Sequence, residues 1–289
     1  MHDIATPAEM RAWSRAERSR GNRIGFVPTM GFLHEGHLRL VDRARDRADR
    51  VVLSRFVNPL QFGPGEDFDR YPRDLERDRA LAASRSVDCL FNPATHAVYP
   101  ERPVVVVHPG PVGDILEGAV RPGHFRGVLT VVAKLFHYVE PDIAIFGRKD
   151  YQQCVLVRRM MGDLDFGLEL DIAPTVRELD GLALSSRNVY LNLEQRRAAL
   201  ALSRALRTVE QTWRGGQADP AALERRGLEV LAAPGVTPEY LKVLGAELSP
   251  ITRADAASVV VVAAAVGATR LIDNVVLGDG MAHDVAVRT

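Results

Sequence analysis

The sequence predicts an α/β fold: a Rossmann-like parallel sheet in an N-terminal domain, followed by a smaller α+β C-terminal domain carrying an antiparallel sheet. Three observations point there. Short β-branched runs alternate with longer helical stretches through the first part of the chain, the pattern of βαβ units. After Pro174 that alternation stops, giving way to two long helical stretches and then three strand-like runs. The composition, 46% hydrophobic and 26% charged over 289 residues, is that of a globular chain with room for two modest domains.

Taken in order, residues 23–28 (RIGFVP) read as a strand and 36–47 as a helix with Leu38, Val41 and Ala44 on its apolar side. Residues 51–57 form the next strand, 75–84 a helix, 88–91 a short strand and 104–107 (VVVV) another. An apolar helix is expected over 127–139, a strand over 142–146, a helix over 150–161 and a strand over 168–172. Beyond the change of pattern, one long helix is expected from Glu194 to Trp213, where Gly215-Gly216 stop it. A second runs from Pro220 to Ala232, ahead of Pro234. Strands follow at 240–244, 258–265 and 269–276, the last two joined by Val266-Gly267-Ala268 as a hairpin. The domains are accordingly drawn as 1–175 and 176–289.

Charge and cysteine content exclude several classes. Lys+Arg and Asp+Glu are both 37, so the chain lacks the cationic excess that drives binding to a phosphate backbone, and no nucleic-acid partner is expected. The two cysteines, Cys89 and Cys154, form no CxxC pair and suggest buried reduced thiols. Residues 1–20 lack the apolar core of a secretory signal, and the longest apolar run, 258–266, is too short to span a bilayer. A cytoplasmic protein with no membrane association is expected.

Five clusters carry chemistry. The first, Pro28-Thr29-Met30-Gly31-Phe32-Leu33-His34-Glu35-Gly36-His37, lies between a strand and a helix. Gly31 and Gly36 let backbone approach a ligand, and the helix N-terminus offers N–H groups and a positive dipole end suited to phosphate. His34 and His37, three apart, share a helix face and can donate to phosphate oxygens. An isolated HxxH is more often a surface or capping pair; the strand–turn–helix setting is what raises it. The second cluster, Phe56-Val57-Asn58-Pro59-Leu60-Gln61, turns at Asn58-Pro59 and leaves Gln61, whose amide both donates and accepts, at the same sheet edge. Nearby, Tyr71 is the one residue singled out from a charged loop. The third, Arg121-Pro122-Gly123-His124, can bring Arg121 and His124 to an anion, although helix capping accounts for its Pro and Gly equally well. The fourth, Gly147-Arg148-Lys149-Asp150-Tyr151-Gln152-Gln153, offers close approach at Gly147, a point charge at Lys149 and a helix cap at Asp150. The fifth, Leu184-Ser185-Ser186-Arg187, has the makeup of a mobile phosphate clamp.

Together, PTMGFLHEGH, FVNPLQF, YPR, RPGHFRGV, FG-x-KDYQQ and DGLALSSRN resemble, in order and spacing, the motifs of the pantothenate synthetase family within the HIGH-motif nucleotidyltransferases. The resemblance is dense over residues 23–193. It implies a ligase that uses ATP with Mg²⁺ to activate pantoate as an acyl-adenylate, releasing pyrophosphate, and then transfers the pantoyl group to β-alanine with loss of AMP. It also implies a homodimer. Carried over position by position, Met30, Gly31, Phe32, Leu33, His34, Glu35, Gly36 and His37 form the nucleotide loop. Gly147, Arg148, Lys149 and Asp150 contact ribose and phosphate, and Val176 meets adenine through its backbone. Leu184, Ser185, Ser186 and Arg187 close on the triphosphate, and His34, His37, Lys149 and Arg187 act on the reacting phosphates. Gln61 and Gln153 hold pantoate, with Gln61 also near β-alanine. Tyr71, Arg121 and His124 are further contacts, and Asp78 is matched to the Mg-triphosphate. Two departures stand out: Arg148 replaces a glutamate usual in the family, and Arg55 sits in a strand where a charge needs solvent or a carboxylate. A related adenylyl-transferring enzyme for another acid, and a nucleotide-binding protein without turnover, are the alternatives.

Overall fold

A computed structural model describes residues 1–287; Arg288 and Thr289, at the end of the expected C-terminal domain, lie outside the described residues. The chain divides into two compact units, Met1–Gly147 with Gln152–Ala173 and Arg148–Tyr151 with Pro174–Thr289.

The first unit is a six-stranded sheet in which every ladder is parallel. Its elements are β1 (His2–Ile4), α1 (Pro7–Ser19), β2 (Ile24–Thr29), α2 (Glu35–Arg45), β3 (Arg50–Arg55), α3 (Leu75–Ser84), β4 (Cys89–Phe91), the single turns α4 (Thr95–Val98) and α5 (Glu117–Val120), α6 (His124–Val139), β5 (Ile143–Gly147), α7 (Tyr151–Asp163) and β6 (Glu169–Ala173). The strand order is β1-β4-β3-β2-β5-β6. Alternate strand residues feed two apolar layers, as the pleat requires. Phe26, Val52, Ala144 and Phe146 join one layer with Met10 of α1 and the apolar side of α6. Val27, Val51, Leu53, Ile143 and Ile145 join the other with Leu40, Val41 and Ala44 of α2 and Ala82 of α3. Burial on both faces explains why these strands read as continuous apolar runs.

The second unit contains β7 (Val176–Glu178), α8 (Leu193–Ala198), α9 (Leu200–Arg214), α10 (Pro220–Leu231), β8 (Val236–Leu244), β9 (Val259–Val266), β10 (Thr269–Val276) and β11 (Val285–Val287). β10, β9 and β8 form an antiparallel sheet. Leu202, Leu206 and Val209 of α9 and Leu223 and Leu231 of α10 share one core with Leu241, Val260, Val262 and Ala264 of that sheet. The three residues of β9 are two apart, so they line a single face of the strand. β9 and β10 are joined by Gly267-Ala268, with Gly267 at φ +59°, a turn that puts the left-handed residue first. β11 pairs in parallel with β7.

Among the differences from expectation, which include the unanticipated strands β1, β7 and β11, three are instructive. The run 104–107 is not a strand: Val104 and Val105 are 97% and 87% exposed. The Val107 N–H goes instead to the Thr130 hydroxyl (3.0 Å), and β-branched composition alone cannot supply a neighbouring edge. The helix expected from Glu194 to Trp213 breaks at Ala199, where a tighter turn links α8 to α9 through a Leu202 N–H bond to the Ala199 carbonyl (3.2 Å). Finally, α1 was not anticipated, although Thr6-Pro7-Ala8-Glu9 forms a complete capping box with Pro at the first turn.

Candidate functional site

In the first unit the chain passes from β2 outward through β3 to β4 on one side, and from β5 to β6 on the other. The strand order therefore reverses beside β2, and ligands of open parallel sheets bind at the carboxyl ends of strands at such a point. The loop that leaves β2 there is residues 30–34.

That loop is held from below by Asp78. Its carboxylate is fully buried and accepts N–H bonds from Phe32 (2.8 Å) and Leu33 (2.7 Å), and a third from Arg55 Nε (2.9 Å). Arg55 also donates to Asn92 Oδ1 (3.1 Å), so the odd charge in β3 does reach a carboxylate and a second acceptor besides. Gly31 has φ +84°, and a Cβ there would lie 2.7 Å from Arg55 Cγ and 2.9 Å from Asp78 Oδ2, which leaves room for glycine alone. Phe32 is likewise left-handed at φ +51°, with the Arg77 guanidinium 5.1 Å from its ring centre. The Thr29 hydroxyl ties the strand end, donating to the Ser54 carbonyl (2.7 Å) and accepting from Gly31 N–H (3.1 Å).

His34 and His37 do meet, by a route other than a shared helix face. His34 is the N-cap of α2, and its Nδ1 accepts from Gly36 N–H (3.1 Å); His37 Nδ1 accepts from His34 N–H (3.3 Å). The rings stack with centres 4.0 Å apart. With Nδ1 accepting in both, the neutral rings carry their protons on Nε2, so each has a donor there. The backbone amides of residues 32, 33, 34 and 36 are thus taken up by side chains, and the donors of this helix start are imidazoles more than peptide groups. Glu35 engages Arg85 (3.0 Å) and Arg39 (3.1 Å).

Gln61 is buried and its amide is oriented. Asn58, itself 1% exposed, donates to Gln61 Oε1 (3.2 Å) and to the Gly127 carbonyl (3.0 Å), and accepts from the Tyr99 hydroxyl (3.0 Å). Gln61 Nε2 is thereby directed toward the Met30 sulfur (3.0 Å). The turn carrying Gln61 lies so close to α6 that a Cβ on Gly127 would fall 2.2 Å from the Leu60 carbonyl oxygen. Arg121 and His124 gather at the same turn. His124 Nδ1 binds the Gln61 carbonyl (2.8 Å), and Arg121 donates to the other ring nitrogen (3.2 Å) and to Glu66 (2.6 Å). A carbonyl only accepts and a guanidinium only donates, so His124 is the neutral Nδ1–H tautomer. Burial, then the Arg121 charge, push its pKa down to about 4. Burial would raise the Glu66 carboxyl, but the Arg121 hydrogen bonds and charge outweigh it and hold it below its ordinary value. Tyr71 is buried against Phe62, ring centres 6.0 Å apart. Gln153 is half-buried on the first turn of α7. Its neighbour Gln152 is structural, binding Glu117 N–H and the Val112 and Ile115 carbonyls.

In the second unit, Lys149 is half-buried and Asp150 exposed. The Arg148 guanidinium is buried and pairs with Asp284, itself buried (3.0 Å), and with the half-exposed Asp279. Val176 is buried in β7, its carbonyl accepting Leu184 N–H (2.9 Å). Ser185 caps a short 3₁₀ turn, its Oγ accepting Arg187 N–H (3.2 Å), and Ser186 is buried at the first position of that turn. Asn58 and Asn274 are the residues whose roles sequence reasoning missed; the Asn-Pro turn signature marked the place of the first, and nothing local marked the second.

A family model described as pantoate-beta-alanine ligase matches residues 2–276. A pantothenate synthetase of Pelotomaculum thermopropionicum is 51% identical over 275 residues, covering 94% of this chain and 98% of that protein. One from Moorella thermoacetica is 51% identical over 280 residues, covering 96% and 99%. The crystal structure of pantothenate synthetase from Thermus thermophilus superposes with a TM-score of 0.91 at 51% identity, covering 96% of this chain and 99% of that one. The pantoate-beta-alanine ligase of Francisella tularensis, crystallised with beta-gamma ATP and beta-alanine, gives 0.81 at 32% identity, covering 97% and 99%.

Proposed function

The chain belongs to the pantoate-beta-alanine ligase family, and from that premise we propose how its residues divide the work of condensing pantoate with β-alanine. The enzyme is an ATP-dependent ligase of that family. In the first step the pantoate carboxylate attacks the α-phosphorus of ATP and pyrophosphate leaves. A carboxylate is already a nucleophile at neutral pH, so the step asks for in-line positioning and for charge on the departing oxygens. In the second step the uncharged β-alanine amine attacks the acyl carbon of the adenylate; AMP departs with the bonding pair and the amine loses its proton.

The observation that carries this reading is the capped pair of imidazoles at the start of α2, both Nδ1 atoms occupied, at the point where the strand order reverses. We assign their Nε2–H groups to the phosphates, where they strengthen as charge develops. Gln61, its amide fixed by Asn58, is assigned to the hydroxyl and carboxylate of pantoate, as is Gln153. His124, Arg121 and Tyr71 support the Gln61 turn. In the second unit, Lys149 and the Ser185-Ser186-Arg187 turn are assigned to phosphate, and Val176 to the adenine. Arg148 contributes backbone only, its guanidinium being committed to Asp279 and Asp284.

Magnesium belongs to this reading as part of the nucleotide substrate. Among the described residues no group of three or more His, Cys, Asp and Glu side chains offers a cage, and Asp78 is assigned to the loop because its oxygens are already occupied. Mg²⁺ commonly rides on substrate phosphates in this way. A homodimer and a cytoplasmic location are further parts of the proposal. No helix among the described residues is long and apolar enough to cross a membrane, and light scattering tests the dimer.

The decisive experiment is pantoate-dependent exchange of labelled pyrophosphate into ATP, followed by β-alanine-dependent release of AMP. Exchange that needs pantoate, and release that needs β-alanine, are expected; ATP binding without exchange would overturn the assignment. His37→Ala should slow exchange by ~10²-fold, the scale of a lost transition-state donor. A rate near wild type would remove His37 from the phosphates.

A further inference from the structure

The turn carrying Lys149 is built into the C-terminal segment of its own unit. Asn274, 2% exposed in β10, donates from its one amide to two successive carbonyls, those of Arg148 (2.9 Å) and Lys149 (2.8 Å). The Arg148 side chain, in a residue 8% exposed, binds Asp279 and Asp284 on either side of the short turn before β11. Asp284 is shared with Arg177 Nε (2.6 Å), whose other nitrogens hold Asp273 (2.6 and 2.8 Å). Asp273 in turn accepts the Asn274 N–H (2.8 Å), closing a ring of contacts from β10 through β7 to residue 284. Just beyond, the Tyr151 hydroxyl donates to the Ala246 carbonyl (3.0 Å).

We propose that Arg148 and Asn274 are positioning residues for Lys149, and that residues 279–284 form a strut through which the C-terminal segment sets the lysine's backbone. This rests on the reading of Lys149 as a phosphate contact. Two guanidiniums, those of Arg148 and Arg177, face the carboxylates of Asp273, Asp279 and Asp284, so the Arg148 charge is taken up inside this cluster and is not presented to a nucleotide. What the arginine supplies is direction. With both flanking carbonyls tied by one amide and the Arg148 side chain anchored, the lysine Cα has little freedom. A long flexible side chain on a fixed root loses less on reaching an anion than one on a mobile turn. A carboxylate at position 148 would repel Asp279 and Asp284 where the guanidinium binds them, so the strut is a property of this chain's own residues.

The test is a double-mutant cycle read by pyrophosphate exchange and by KM for ATP and for β-alanine. Arg148→Gln should raise KM for ATP and slow exchange, together by about tenfold in efficiency, while KM for β-alanine stays unchanged. Arg148→Lys should recover part of the loss. In a Lys149→Ala background, Arg148→Gln should cost nothing further, because the residue it positions is gone. Asp279→Asn, at a half-exposed carboxylate whose loss spares the fold, should move KM for ATP in the same direction by about twofold, and serves if Arg148→Gln unfolds. Additive losses in the cycle, or an unchanged KM for ATP in both Arg148→Gln and Asp279→Asn, would overturn the proposal while leaving the phosphate role of Lys149 standing. If Lys149→Ala itself exchanges at the wild-type rate, the phosphate reading falls and the proposal with it.

Discussion

Asp78→Asn isolates what holds the loop at residues 30–34, because it keeps shape and changes only charge and one acceptor. The aspartate accepts three bonds with no solvent contact: Leu33 N–H on Oδ1, Phe32 N–H and Arg55 Nε on Oδ2. An asparagine must place its NH₂ against one of these sets. If it replaces Oδ1, the Leu33 amide is orphaned; if it replaces Oδ2, both Phe32 and Arg55 are. An orphaned buried N–H costs about 1–3 kcal/mol. The bonds that survive go from charge-assisted to neutral, roughly halving them. Arg55, 13% exposed at its side chain, retains Asn92 and faces part of the ~3–5 kcal/mol typical of a broken buried pair. Because these losses share one side chain they do not add, and a net destabilisation of about 3–4 kcal/mol is expected. In urea, at ~2–3 kcal/mol per molar, the midpoint falls by about 1–2 M. Activity should fall as well, because either orientation frees one of the two amides that hold residues 32 and 33, and Phe32 sits in the left-handed region at a cost of about 1–2 kcal/mol that favours relaxation. Asp74→Asn, at the exposed cap of the same helix, is the control; it should be near neutral, since asparagine caps as well as aspartate. A midpoint for Asp78→Asn within about 0.2 M of wild type (~0.5 kcal/mol), with full pyrophosphate exchange, would refute this account of the loop.

Two further outcomes follow from the Gln61 turn. Gly127→Ala drives a Cβ to within 2.2 Å of the Leu60 carbonyl, so α6 and the turn must part; a loss of about 1–3 kcal/mol by thermal melt is expected, with KM for pantoate rising more than KM for ATP. His124 makes stability depend on pH. Its folded pKa of about 4 lies below the 6.5 of the free side chain, so the unfolded chain binds the extra proton between them. Stability from this residue is intact above pH 6.5, declines as pH falls toward about 4 and is flat below, by up to about 3 kcal/mol in total; His124→Asn should flatten the difference curve in that window and nowhere else.

The parallel sheet was legible because strands buried on both faces must be apolar throughout, and 24–29, 50–55 and 143–147 largely are. The antiparallel hairpin was legible from one glycine at 267. What sequence could not give was partnership. Residues 104–107 have strand composition and no edge to join, while the ionic ties of Arg55 and Arg148 run to residues 23 and more than 130 positions away. Of the motif loops, 30–34, 56–61 and 148–150 do follow strands while 121–123 lies between two helices, and the motifs did not show how their side chains are spent. His34 and His37 were read as sharing a helix face, and are brought together instead by capping, which a spacing of three allows but does not specify. Asp78 was read as facing the Mg-triphosphate, whereas its burial beneath residues 32 and 33 gives it three protein donors to satisfy. Neither distinction has a local signature in the sequence.

The two turns assigned to phosphate are built by opposite polar devices, and the contrast bears on what grips the ligand. Beneath 30–34, an acceptor takes two consecutive N–H groups; beneath 148–149, a donor gives to two consecutive carbonyls. A helix start usually binds anions through its own amides. Here the amides of Phe32 and Leu33 face Asp78, and those of His34 and Gly36 face imidazole nitrogens. The backbone is therefore committed to holding the loop's shape, and the donors assigned to phosphate are the Nε2–H groups of two stacked rings. An imidazole N–H on a rigid ring can be aimed at oxygens that gain charge late in the reaction, which a run of peptide amides fixed along a helix axis cannot do selectively. On this assignment, Ser or Asp in place of His34 should close the same cap without supplying an aimed N–H, so a His34→Ser variant is expected to keep its melting temperature and lose pyrophosphate exchange.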